Sequence, residues 1–199
     1  MMSAGETALV VSFAVAMIAT PGPANMLLFA SGLNVGFRGT IPFLAGVLCG
    51  FLVVSLAAAA GLGGVLLAVP QVAAGLRTAS VAYILYLAVK IARSRPGSAS
   101  DAVSWGFRRG VVVHPLNPKA YAMTIGAYAA FAGNGDDYAI RAATIFVVLN
   151  LVGIAFNALW VKAGDLAERT MADERMLRAV NCVLAAIMSI VVVYAAVVL

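Results

Sequence analysis

Thr20-Pro21-Gly22-Pro23-Ala24-Asn25 lies inside one long uncharged run of this sequence, and His114-Pro115-Leu116-Asn117-Pro118-Lys119 lies inside another apolar run. A proline within a helix removes a backbone hydrogen bond and strikes the carbonyl four residues back. Two prolines in close succession break a helix rather than bend it. Each stretch also carries the chemistry of a restart. Thr20 before Pro21, and Asn117 before Pro118, pair an N-cap residue with a proline suited to the first helical position. The reading predicts two helices, each interrupted near mid-depth and each resuming as a half-helix. Pro118 stands 97 positions after Pro21, close to half of the 199 residues.

Working outward, the rest of the chain is apolar enough to be read against lipid. Hydrophobic residues make up 63% and charged residues 11%. A soluble domain is about 45–50% apolar and about 25% charged, so a soluble globule is excluded, and disorder with it. Two cysteines make no disulfide scaffold. Cys49 and Cys182 stand in apolar stretches and read as small buried hydrophobes. The net charge of +5 does not point to nucleic acid, because the basic residues stand at the ends of apolar runs, where membrane topology places them.

A membrane helix needs about 20 mostly apolar residues. The pattern predicts six such spans. The first lies between Glu6 and Arg38. The others run over about 41–64, 74–92, 110–131, 140–161 and 179–199, with a short apolar turn near Pro70. No basic residue precedes the first apolar core, so it reads as a retained span rather than a cleaved signal. Six spans leave Arg77 and Arg141 on the side of the termini. They place Arg38, Lys90, Arg93, Arg95, Arg108, Arg109, Lys162, Arg169, Arg175 and Arg178 on the other. The positive-inside rule makes the richer side cytoplasmic, with both termini outside.

The Arg93–Ser104 stretch has the only linker-like composition. It divides three spans from three. The expected architecture is an all-α membrane protein: six transmembrane helices as two inverted three-helix repeats, with helices 1 and 4 broken at the proline motifs. Residues 1–95 form the first repeat, 96–104 a cytoplasmic linker and 105–199 the second repeat.

A half-helix N-terminus offers free N–H groups and about half a positive charge. Two of them converging near the midplane suit a carboxylate, and the carbonyls ahead of each break suit an ammonium group. A small zwitterion fits both. Lys119 is the only charge between Arg109 and Asp136, and a charge at that depth must face a polar cavity or be held by carbonyls. His114 is the only histidine and titrates near neutral pH when unperturbed. Asn25, Asn150, Asn157 and Asn181 are amides in apolar runs, where they join helices; Asn25 is nearest a break. Gly46-x-x-x-Gly50 fits close helix packing, and glycine-lined faces allow a homodimer. No metal or cofactor motif is present. One histidine, no embedded acid and no serine dyad argue against an intramembrane enzyme.

The proline stretches, together with Gly36-Phe37-Arg38-Gly39, Gly46-x-x-x-Gly50, Phe107-x-x-Gly110, Asn117-Pro118-Lys119-Ala120 and Tyr83-x-x-Tyr86-Leu87, resemble the signatures of the LysE/RhtB superfamily of small bacterial amino-acid exporters. The resemblance covers nearly the whole chain. It implies efflux of amino acids or their derivatives across the inner membrane, driven by the proton motive force. It maps Pro21, Gly22, Pro23 and Asn25 to the first motif and Asn117, Pro118 and Lys119 to the second. Thr20 completes the expected substrate-binding set, and Lys119 and His114 are the candidates for proton coupling. Many members carry an acidic residue after a glycine early in the second span. Here Phe51 follows Gly50, which leaves coupling to Lys119, His114 or water and favours a less polar substrate. The alternative reading is a channel or carrier for an ion or another solute.

Overall fold

A computed structural model of the chain describes residues 2–94, 106–171 and 173–198. Those residues form eight helical elements: α1 (Ala4–Ala19), α2 (Pro23–Ala59), α3 (Leu62–Ala68), α4 (Pro70–Arg93), α5 (Phe107–Val113), α6 (Pro118–Phe131), α7 (Tyr138–Thr170) and α8 (Glu174–Val198). The stretch 96–104, read as a linker, lies outside the described residues. Among the described residues α2, α4, α7 and α8 are long and apolar enough to cross a membrane, and α1 is a shorter apolar helix. Large apolar side chains face outward along them, as with Leu151 at 61% and Ile190 at 68% exposure. Such surfaces need lipid rather than water around them.

Both predicted breaks are present. α1 stops at Ala19 and α2 starts at Pro23; α5 stops at Val113 and α6 starts at Pro118. The first restart differs in detail from the sequence reading. Gly22, not Thr20, is the N-cap of α2, and Pro23, not Pro21, takes the first helical position. Thr20 instead ends α1, and its hydroxyl donates back to the Ala16 carbonyl. The second restart is as read: Asn117 caps α6 with Pro118 at its first position.

The turn expected around Arg38 shrinks to one residue. α2 runs for 37 residues, about 55 Å if straight, but Gly36 has φ 71° and ψ 173° and divides it into two arms. Only glycine takes that φ at no steric cost. The second arm is fastened across the chain, because the Phe37 amide donates to Asp165 Oδ1 on α7 at 3.1 Å. The apolar turn near Pro70 contains a short helix, α3, and Pro70 opens α4.

α2 packs along α7 and α5, while α4 and α8 pair on the flank. Glycines set the close approaches. A Cβ on Gly32 would stand 2.2 Å from the Val161 carbonyl oxygen, and one on Gly164 would stand 2.0 Å from that of Phe29. Gly46 and Gly50 meet α5 in the same way, at 2.1 Å from the Phe107 oxygen and 2.3 Å from the Val111 oxygen. The Gly46-x-x-x-Gly50 face is therefore used within the chain. Buried amides join helices as expected: Asn181 on α8 donates to Ser94 at 3.1 Å, and Asn150 on α7 donates to Ser55 on α2 at 3.5 Å. Cys182 departs from the reading, since it is exposed on α8 and Cys49 is only partly buried. A small apolar side chain needs no burial where the surroundings are lipid.

The apolar interior falls into two clusters. One gathers Ala24, Leu27, Leu28, Phe43 and Val47 of α2 with α4, α8 and Val161 of α7. The other gathers Val10, Ala14 and Ile18 of α1 with Met123 and Ala127 of α6, Phe51 of α2 and Ile145 of α7.

Candidate functional site

The two breaks meet in one cavity between these clusters. Gly22, Ala24 and Asn25 line it from the first break, and His114, Asn117, Lys119 and Ala120 from the second. A Cβ on Gly22 would stand 2.8 Å from Cδ and 3.1 Å from Nζ of Lys119. Sequence positions almost a hundred apart are therefore in van der Waals contact. The cavity measures about 30 Å³, room for one or two waters.

The half-helix starts are not equivalent. At α6 the Lys119 amide is already satisfied, because Asn117 Oδ1 accepts from it at 3.1 Å. At α2 the N-cap is a glycine with no side-chain cap, and Pro23 has no N–H to offer. The open donors of the first turn therefore belong to Ala24 and Asn25, both of which line the cavity. Of the two helix starts, α2 is the one better arranged to receive an anion.

The carbonyls at the end of α1 are held by side chains of the site. Asn25 Nδ2 donates to the Ile18 carbonyl at 2.9 Å and to the Thr20 carbonyl at 3.1 Å. Lys119 Nζ donates to the same Thr20 carbonyl. Donation to a carbonyl is one of the two ways in which apolar surroundings accommodate a lysine. On the second break, the Pro115 carbonyl accepts from the Tyr121 hydroxyl at 2.9 Å.

The remaining walls are mostly apolar: Met17 and Ile18 of α1, Phe51 of α2 and Met123 of α6. The Phe51 ring lies tilted against the His114 imidazole, centroids 5.0 Å apart. Asn157 and Gly153, one turn apart on α7, close the far side. His114 is 7% exposed, and neither ring nitrogen has a hydrogen-bond partner among the described residues. No group of acidic, histidine or cysteine side chains able to hold a metal occurs among those residues.

Of the residues singled out from sequence, Gly22, Asn25, His114, Asn117 and Lys119 line the cavity. Thr20 is not among the lining residues and joins the site only through its carbonyl, which accepts from Asn25 and Lys119. Pro23 and Pro118 shape it as the first residues of their helices. Pro21 is an exposed link. Sequence reasoning missed the α7 wall. Asn157 was read as a joining amide, and only its pairing with Gly153 at helical spacing hinted at an opening beside it.

The chain matches the family model described as LysE type translocator over residues 15–198. Relatives are named cysteine/O-acetylserine efflux protein. That of Salmonella typhimurium is 32% identical over 157 residues, covering 75% of this chain and 77% of the relative. Those of Escherichia coli (strain HS) and Klebsiella pneumoniae are 32% and 29% identical, with the same coverage. No solved structure matches the chain. A translocator family, long apolar helices and an apolar exterior describe a multi-pass membrane transport protein, and the chain belongs to the LysE type translocator family.

Proposed function

We propose that this protein is a secondary transporter that exports small amino-acid-type solutes across the bacterial inner membrane, driven by the proton motive force. One observation carries the reading: Lys119, at the start of one half-helix, reaches across to the Thr20 carbonyl at the end of another. A zwitterion supplies both halves of that contact. Its ammonium group takes over the carbonyl, and its carboxylate pairs with Lys119 and the open Ala24 and Asn25 amides. Pro21, Gly22, Pro23, Asn117 and Pro118 hold the backbone in the shape this requires. Lys119, which lines the cavity, is the place where a proton is exchanged for substrate. The efflux named for the relatives supports amino-acid-type cargo.

In this reading the elements make six spans. α1 with the first arm of α2, then the second arm, then α4, form one repeat within residues 1–95. α5 with α6, then α7, then α8, form the inverted repeat within 105–199, with a cytoplasmic linker between and both termini outside. The cavity of about 30 Å³ has room for one or two waters, so in this reading it widens around the breaks to admit an amino acid.

The test is counterflow in proteoliposomes loaded with the twenty amino acids and homoserine, read by mass spectrometry. Selective exchange that falls at least about a hundredfold in a folded Lys119→Ala protein supports the reading. Full exchange in that variant sinks the site assignment. Flux that does not saturate and shows no counterflow identifies a channel instead.

A further inference from the structure

Three polar side chains of the cavity are already held by hydrogen bonds. Asn25 and Lys119 donate to carbonyls, and Asn117 accepts from the Lys119 amide. His114 lines the same cavity, is buried to 7% exposure, and has no partner at either ring nitrogen among the described residues. A buried imidazole kept for packing forms hydrogen bonds with its surroundings, because leaving donor and acceptor unpaired is costly. Phe51 packs against the imidazole, so the ring is held while its nitrogens stay unpaired.

We propose that His114 is a specificity-determining residue. It hydrogen-bonds a polar, uncharged group on the side chain of the cargo, so the protein selects small zwitterions bearing a hydroxyl, thiol or acyl oxygen over their aliphatic isosteres. This rests on the reading of the cavity as an amino-acid site. A neutral imidazole presents one donor and one acceptor, which suits a hydroxyl or thiol that both gives and takes, or an acyl oxygen that takes. The other walls sharpen the choice. No acidic residue lines the cavity and Lys119 does, so a cationic side chain finds no counter-charge. Met17, Ile18, Phe51 and Met123 supply apolar walls that accept a short side chain without ranking it. Such walls discriminate weakly, whereas a site built to hydrogen-bond a group rejects the analogue lacking it.

The experiment compares near-isosteric pairs in the reconstituted full-length protein: serine and cysteine each with 2-aminobutyrate, and threonine with valine. Half-saturating concentrations for counterflow are measured for wild type, His114→Leu and His114→Gln. The expected result is a wild-type preference of about ten- to a hundredfold for the polar member of each pair. It disappears in His114→Leu, which still exchanges the aliphatic members, and partly returns in His114→Gln. An undiminished preference in His114→Leu overturns the assignment, as does a wild type without preference. No exchange of any amino acid by folded wild type overturns the cavity reading, and the assignment with it. A readout independent of variant folding is available because the chain has a single histidine. In untagged protein with ¹⁵N-labelled imidazole, serine is expected to shift the ring resonances and 2-aminobutyrate to leave them in place. Equal responses to both overturn the proposal.

Discussion

Asp165 accepts a hydrogen bond from the Phe37 amide at 3.1 Å, across 128 positions of sequence, and the same carboxylate pairs with Arg169 at 3.0 Å. The bond caps the second arm of α2 at its first turn beyond Gly36, and α7 supplies the cap. The aspartate therefore does for two helices what Ser3 does for α1 within its own turn, where Glu6 completes a capping box. Asp165→Ala is expected to destabilise the protein by about 1–2 kcal/mol, in the range of a lost charge-assisted bond or cap. Asp165→Asn, which keeps an accepting oxygen, costs less. Thermal unfolding in detergent measures both, and equal losses in the two variants would discount the capping role.

Glycines at the helix seams predict a sharp contrast between positions of the same residue type. Gly164→Ala places a methyl 2.0 Å from the Phe29 carbonyl oxygen, backbone that cannot rotate away. It is expected to cost about 3 kcal/mol or more, seen as loss of monodisperse protein. Gly75 lies within α4 with nothing within 4 Å of its Cβ position. Gly75→Ala is expected to stabilise by up to about 1 kcal/mol through helix propensity.

Gly22→Ala separates the site from the fold. Its Cβ would meet the Cδ of Lys119 at 2.8 Å, the mobile part of a flexible side chain, and Gly22 itself has an extended φ of −159° that any residue adopts. The protein is expected to fold with a melting temperature within a few degrees of wild type. Lys119 must leave the Thr20 carbonyl, so transport is expected to fall about tenfold or more. Unaltered transport would show that this contact is dispensable.

One ion pair gives a pH signature outside the spans. Glu6 stands ahead of the uncharged run, where Arg141 Nη2 donates to its Oε1 at 2.8 Å. The Ser3 amide first, and then Arg141, hold its carboxyl down from an ordinary 4.5 to about 2. Because the folded value is the lower one, its contribution is complete above about pH 4.5 and is lost as pH falls toward 2. The difference in unfolding midpoint between wild type and Glu6→Gln is expected to be constant near neutrality and to shrink below pH 4.5. A difference independent of pH would count against the pairing.

The two breaks were legible because proline acts locally: Pro23 and Pro118 end one helix and start another wherever they stand. The same local logic erred at Thr20, where two prolines offered two possible restarts and the hydroxyl went back to Ala16 instead. Lys119 was legible because charge in an apolar run must be answered somewhere. Its partner, the Thr20 carbonyl, was not, since a backbone group carries no signature in sequence. The same holds for the α7 wall and for the Asp165 cap, which depend on which helix faces which. Gly36 was visible as part of a motif, but that one residue replaces a loop follows only from its positive φ.

The seams differ in kind on the two sides of the cavity, and this bears on rates. Where Gly32 meets Val161, Gly164 meets Phe29 and Gly46 meets Gly110, backbone meets backbone, and no side-chain torsion can loosen the fit by degrees. Toward α1 and α6 the closure is made of side chains, with Phe13 edge-on to Phe131 at 5.7 Å and Ile125 over Gly63. Such contacts give way one rotamer at a time. A glycine seam must part as a unit, giving up many small dispersion contacts together. In the transport cycle proposed above, opening is therefore expected to start on the side-chain faces, and any step that parts the glycine seams is expected to be the slower one.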